Sequence, residues 1–161
     1  MMKGFEPSLL DKLFDDAPRE PGIGMLKRMS AEAYKDSVAR DLEGLLNSRF
    51  ALAEESLAGF PHCQRSLATY GIHDFSGRSL ASAIDRKFIC ESLELAIARH
   101  EPRLTQVQVT LDDEQRSSGA LRFSISALLV VHPAREPISF DALLQPTTLQ
   151  YAVSRARRVA A

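Results

Sequence analysis

Cysteine is scarce in this 161-residue chain: Cys63 and Cys90 are the two it has. Two thiols exclude a disulfide-stapled scaffold and fit a reducing compartment. Long apolar runs are missing as well. None approaches the ~18 residues that a membrane-spanning helix requires, so direct membrane insertion is not expected. Neither sign of charge dominates, with 20 Lys and Arg against 21 Asp and Glu and a net charge of -1. Bulk charge thereby excludes a strongly basic nucleic-acid binder. The eight glycines are scattered, and neither a GxGxxG nor a GKS/GKT phosphate loop occurs. The opening MMKGFEPSLLDKLFDD turns acidic too early for a secretory signal. A soluble cytoplasmic protein is the expectation.

What is present suits one domain. A length of 161 residues with 45% hydrophobic content is enough for a single core. Among the cations, 15 are Arg and 5 are Lys. Arginine makes forked, bidentate contacts and favours protein interfaces; a GC-rich genome would produce the same bias.

Periodicity divides the chain. Pro7 to Asp16 reads as a short helix, with Leu9, Leu10, Leu13 and Phe14 at helical spacing. Ala17 to Gly24, APREPGIG, reads as a linker, so that residues 1–24 form an N-terminal helix and linker, an arm that docks on the core or on a partner. Ser30 is placed to cap a helix reaching about Phe50, with Tyr34, Val38, Leu42, Leu45 and Leu46 on one stripe. Tyr70 to Gly77, YGIHDFSG, has the aromatic anchors and turn glycines of an ordered loop. Ser82 and Asp85 resemble a capping box. The helix they open carries two stripes, Ile84/Phe88/Leu95 and Ile89/Leu93/Ala96/Ile97, which predicts a central helix touched on more than one side. Pro102 stops it near His100.

Period two follows. Val107, Val109 and Leu111 alternate with polar residues, as do Leu121, Phe123, Ile125, Ala127, Leu129 and Val131, which predicts a hairpin across the loop Asp112 to Gly119. Two shorter strands are expected near Ile138–Leu143 and Leu149–Val153. Helices first and strands second argue α+β, with helices packed on one face of a small, mostly antiparallel sheet. The single domain is expected over 25–154, followed by a basic, flexible tail over 155–161.

Most chemistries find no support. His62 adjoins Cys63, but no second ligand pair, CxxC or HExxH occurs. No metal or other cofactor is expected. Cys90 reads as a small hydrophobe within its helix. GxSxG, SxxK and Cys-His signatures are absent. Arg155, Arg157 and Arg158 in the tail supply only weak, salt-sensitive contact to nucleic acid. Glu101 is the best-placed acid, but Arg99 and Arg103 flank it, and cations favour the charged carboxylate over a general acid. An enzyme is not expected.

The most informative stretch is RHEPRL, Arg99 to Leu104, which combines a helix stop, an acid, a rigid proline and two arginines. Two readings stand side by side. The corner is an internal salt bridge fastening the helix end to the first strand, or it is a partner-binding site.

RHEPRL resembles the Glu-Pro-Arg motif of the TssE family, baseplate subunits of the bacterial type VI secretion system. That family also includes a baseplate wedge protein of contractile-tailed phages, once labelled lysozyme-like. PSLLDKLFDD, SVARDLEGLLNSR, YGIHDFSG and REPISFDALLQPTTLQYAV are similar to further family stretches in the same order, so the resemblance runs from Pro7 to Val153. His73 and the loop Asp112 to Gly119 depart from the pattern.

The resemblance implies a fold like the inner domain of contractile sheath proteins. It implies a structural part that joins the baseplate wedge to the first sheath ring and nucleates sheath polymerisation. The implied partners are TssF, TssG and TssK in the baseplate and TssB and TssC in the sheath, with the spike or hub protein as a further contact. The implied location is the cytoplasm, at a baseplate docked to the inner-membrane complex. Glu101, Pro102 and Arg103 are the implied partner-binding residues. Sheath subunits link by strand exchange, so an edge strand of this sheet is expected to pair with sheath strands, its register set by the Glu101/Arg103 corner. Two alternatives accompany this reading: a peptidoglycan hydrolase and a phage-tail baseplate wedge protein.

Overall fold

The computed structural model describes residues 5–14, 29–52, 54–79, 82–112, 121–131, 133–145 and 147–156. The expected linker, most of the Asp112–Gly119 loop, and Arg157 and Arg158 lie outside them.

Three capped helices organise the chain ahead of the sheet. In α1 (Leu9–Leu13) Ser8 and Asp11 form a reciprocal capping box, a signal stronger than the Pro7 that suggested the helix. Helix α2 (Ala31–Asn47) starts at Ser30, whose Oγ accepts the Ala33 N–H at 3.1 Å. Its last carbonyls are met by side chains: Ser48 Oγ donates to Gly44 O and Arg49 to Leu46 O. The predicted stripe Tyr34, Val38, Leu42, Leu45 and Leu46 is buried throughout. A short helix, α3 (Glu54–Leu57), and two 3-10 turns at Cys63–Arg65 and Leu67–Thr69 fill the segment that lacked periodicity.

Helix α4 (Ala83–His100) is capped by Ser82 as predicted. The other half of the expected box is differently used, since Asp85 turns its carboxylate to Arg78 and the Ser79 N–H. The central position expected for α4 is not observed. Ile89, Leu93, Ala96 and Ile97 are buried, whereas Ile84 is 81% exposed and Phe88 and Leu95 are also exposed. The helix caps one layer only, and its Ile84/Phe88/Leu95 stripe faces outward, partly covered at Phe88 by Phe75 and Arg78.

The loop over Tyr70–Gly77 is tied down at Ile72, which bridges to Arg49 and whose N–H donates to Ser48 O. Gly71 permits this approach. Its φ is +123°, and a Cβ there would lie 2.6 Å from Ser48 O.

Four antiparallel strands form a meander in the order β1 (Leu104–Asp112), β2 (Leu121–Val131), β3 (Ala134–Gln145) and β4 (Gln150–Arg155). The predicted alternation on β2 is met, with Phe123, Ile125, Ala127 and Leu129 inward. One extra residue sits in β1, where the register with β2 slips between Thr105 and Gln108 and Gln106 has φ +53°. This bulge puts both Leu104 and Val109 on the core face although their spacing is odd. Strand β3 is longer than expected because β2 templates all of it but Gln145, from Val131↔Ala134 to Leu121↔Leu144. Strand β4 runs to Arg155, whose guanidinium pairs with Glu32 and Asp36 on α2.

The result is an α+β fold of two layers. Helix α2 lies along β4 and α4 along β1, and one core joins Val38, Leu42, Leu93 and Ile97 to Phe123, Ile125, Leu129 and Phe140. Among the described residues no helix is long and apolar enough to cross a membrane.

Candidate functional site

The Glu101–Pro102–Arg103 corner is built by the end of α4. Pro102 disfavours helical geometry at the residue before it, and Glu101 leaves the helix at φ -119°, ψ 81° while its N–H still donates to Ile97 O. The Leu104 N–H then donates to Glu101 O, and Arg103 O accepts the Val130 N–H at 2.8 Å. The chain turns from helix into β1 within three residues. Both charged side chains consequently point inward, while Pro102 is exposed.

Arg103 is the hub. Its Nε donates to Glu101 Oε1 at 2.7 Å and Nη2 to Glu101 Oε2 at 2.5 Å, a forked pair. Nη2 also reaches Asp41 Oδ2 at 2.5 Å, and Nη1 reaches Ser37 Oγ at 3.3 Å. The guanidinium lies 5.7 Å from the Tyr34 ring centroid, within cation–π range. Burial alone would weaken the charged form, but the Glu101 and then Asp41 bonds and charges overcome it and hold the Arg103 pKa above its ordinary value.

The network continues to the N-terminal helix. The Ser37 hydroxyl donates to Asp11 Oδ2 at 2.6 Å, and Arg40 pairs with Asp11 at 3.3 Å. Partial burial pushes the Asp11 carboxyl up, yet bonds from Ser37 and Ser8 and the Arg40 charge win and hold it below the ordinary aspartate range. One charged core thus joins α1, α2, α4 and β1.

Beside it opens a groove of about 350 Å³, lined by Leu9, Leu10, Leu45, Tyr70, Pro102 and Arg103 among others. Burial, with the Asp41 and Glu101 charges, pushes the Tyr70 phenol up. Helix α1 buries none of its residues. Leu9, Leu13 and Phe14 are each about 70% exposed, so polar contacts seat the helix and its apolar side faces out.

All three predicted site residues are therefore brought together, and the internal-salt-bridge reading of the corner describes their geometry. Asp41, Ser37 and Asp11 were missed. The available signal was the polar pair Ser37/Asp41, four residues apart at the margin of the apolar stripe of α2. The isolated His62/Cys63 pair gains no third ligand: among the described residues no group of three His, Cys, Asp or Glu could hold a metal. Cys90 is half-buried in α4, as a small hydrophobe, and its sulfur meets the Leu111 backbone.

Comparison with known proteins places the fold and corner in context. The Anti-adapter protein IraD of Escherichia coli O6:K15:H31 (strain 536 / UPEC) is 27% identical over 114 residues, covering 70% of this chain and 77% of that protein. IraD of Escherichia coli strain UTI89 is similar over the same extent. The family model described as baseplate wedge protein gp25 matches residues 32–134, which take in α2, α4, β1, β2 and the whole Glu101–Arg103 corner. The chain belongs to the baseplate wedge protein gp25 family, a structural family of phage-tail-like baseplates that fits the TssE-type resemblance in its sequence.

Proposed function

We propose that this protein is the TssE-type baseplate subunit of a type VI secretion system. It connects the wedge to the first sheath ring and nucleates sheath polymerisation. Its partners are TssF, TssG and TssK on the wedge side and TssB and TssC on the sheath side, at a cytoplasmic baseplate docked to the inner-membrane complex. The observation that carries this reading is the family match across the corner. The geometry supports it, since Glu101 and Arg103 weld four elements into one platform, and exposed Pro102 and the apolar side of α1 stand at its surface. In this role Pro102 touches the partner, and Glu101 and Arg103 hold the platform that presents it.

Strand β1 is the edge best placed to receive a sheath strand, because it begins at Leu104, directly after the corner. A register set by Glu101/Arg103 reaches β1 without slack.

A hydrolase role fits poorly. Both oxygens of Glu101 accept from Arg103 and the residue is buried, so its carboxyl is engaged within the fold rather than presented to a substrate. The IraD similarity favours a second reading, an anti-adapter-like binding protein.

Affinity purification from cells tests these readings together. Wild type is expected to bring down baseplate and sheath subunits. Leu9→Asp/Leu13→Asp is expected to lose the baseplate subunits with an unchanged Tm, because those side chains are exposed. Recovery of no baseplate or sheath subunit by the wild type refutes the proposal, and glycan cleavage of cell-wall sacculi that Glu101→Gln abolishes would restore the hydrolase.

A further inference from the structure

Both outer edges of the sheet carry side-chain caps supplied by the helices beside them. On β4, Asn47 Oδ1 accepts the Tyr151 N–H at 2.8 Å while Asn47 Nδ2 donates to Tyr151 O at 2.8 Å, and Glu43 Oε2 accepts the Val153 N–H at 2.8 Å. On β1, Glu94 Oε1 accepts the Val109 N–H at 2.8 Å, and the Leu111 backbone meets the Cys90 sulfur. Each helix uses residues four apart to serve strand residues two apart. The spacing matches because four helical residues rise about 6 Å and two strand residues about 6.6 Å.

The overhang of β3 beyond β4 is guarded differently. Ser139 O accepts the Ala156 N–H, so odd-numbered residues of β3 turn their backbone groups to that side. Arg135 and Pro137 are the odd residues of the overhang, and Pro137, the one nearer β4, has no N–H to offer.

The caps are unequal. Strand β4 is held by two side chains through three bonds, two of them forming the two-way Asn47 amide pair. Strand β1 is held by one carboxylate and one weak sulfur acceptor. Exposed edges invite pairing with other chains.

We propose that Glu94 is a removable cap that keeps the β1 edge closed in the free protein and swings aside to admit an extended strand from a neighbouring chain. The proposal rests on the strand-pairing reading above for its purpose, but it is read out in purified protein without any partner. Turning the Glu94 side chain lets Val109 exchange a carboxylate for a strand carbonyl, and a strand carbonyl at Leu111 displaces the weaker contact with the Cys90 sulfur.

The experiment compares wild type, Glu94→Ala and Glu94→Gln by residue-resolved hydrogen exchange and sedimentation. Glu94→Ala is expected to exchange the Val109 amide tenfold or more faster at low concentration. At high concentration it is expected to associate, with Val109 and Leu111 protected again in the associated fraction. Glu94→Gln keeps an acceptor oxygen and is expected to behave as wild type. An unchanged Val109 rate in Glu94→Ala overturns the proposal, as does a variant that exchanges faster yet stays monomeric throughout. Failure of wild-type protein to bind sheath subunits in cells refutes the assembly role and leaves these measurements intact.

Discussion

Replacing Arg103 with Ala should be the most damaging single change at the corner. It leaves Glu101 and Asp41 as neighbouring buried carboxylates without their shared cation. Side-chain exposure is 6% for Glu101, 14% for Asp41 and 16% for Arg103, so water replaces little of the lost partner. Breaking a buried pair in this way costs about 3–5 kcal/mol. At roughly 2–4 °C per kcal/mol for a chain of this size, Tm should fall by about 6–20 °C. Thermal unfolding followed by circular dichroism at neutral pH measures it. Arg103→Lys should fall between the two, since it keeps the charge and loses the fork. A triple variant, Glu101→Gln/Asp41→Asn/Arg103→Met, removes every charge and should recover much of the loss. A drop below about 2 °C for Arg103→Ala, or a triple variant less stable than the single one, would refute the reasoning. The same arithmetic bears on function. A cellular defect in Arg103→Ala mixes lost stability with lost contact, so Pro102 and the exposed leucines of α1 are the cleaner probes of the partner surface.

Further outcomes follow from single positions. Gly71→Ala should lose at least about 2 kcal/mol from its positive φ and the approach to Ser48 O, whereas Gly44→Ala, with its nearest contact at 3.7 Å in a helix interior, should gain about 0.5–1 kcal/mol; urea midpoints compare the two. Phe123→Ala removes a fully buried ring and should cost about 3–5 kcal/mol in the same assay. The Asp11 carboxyl is held below its ordinary value, so its tie to α2 is complete above the unfolded aspartate pKa of about 3.9 and is lost as pH falls through the lower folded value. Amide shifts of Ser8 and Asp11, followed from pH 6 downward, should move with a midpoint below that of a free aspartate; a midpoint at or above it contradicts the linkage.

Local pattern carried much of the fold. The Tyr34–Leu46 stripe, the Ser30 and Ser82 caps and the Pro102 stop are short-range effects, and each is observed. Alternation over Leu121–Val131 similarly located the longest inward-facing strand run. The misses have longer-range causes. Ile84, Phe88 and Leu95 share helical spacing with a core stripe, and periodicity cannot tell a face awaiting a neighbour from one that has it. The bulge at Thr105–Gln108 is set by pairing with β2, so alternation within β1 did not announce it.

At the candidate site the division is similar. Sequence alone determined that Glu101, Pro102 and Arg103 form a corner, because a proline after an acid stops a helix there by local sterics. It determined the composition of two layers and the resemblance that the family match bears out. Only the tertiary structure decided where the charges go. Arg103 turns inward to Glu101 and Asp41 and, through Ser37, reaches Asp11, partners that lie 62 to 66 residues away along the chain at Asp41 and Ser37. It also decided that Glu94, Glu43 and Asn47 seal the sheet edges. Pairing between distant residues depends on how helices lie against strands, and no local periodicity encodes that geometry.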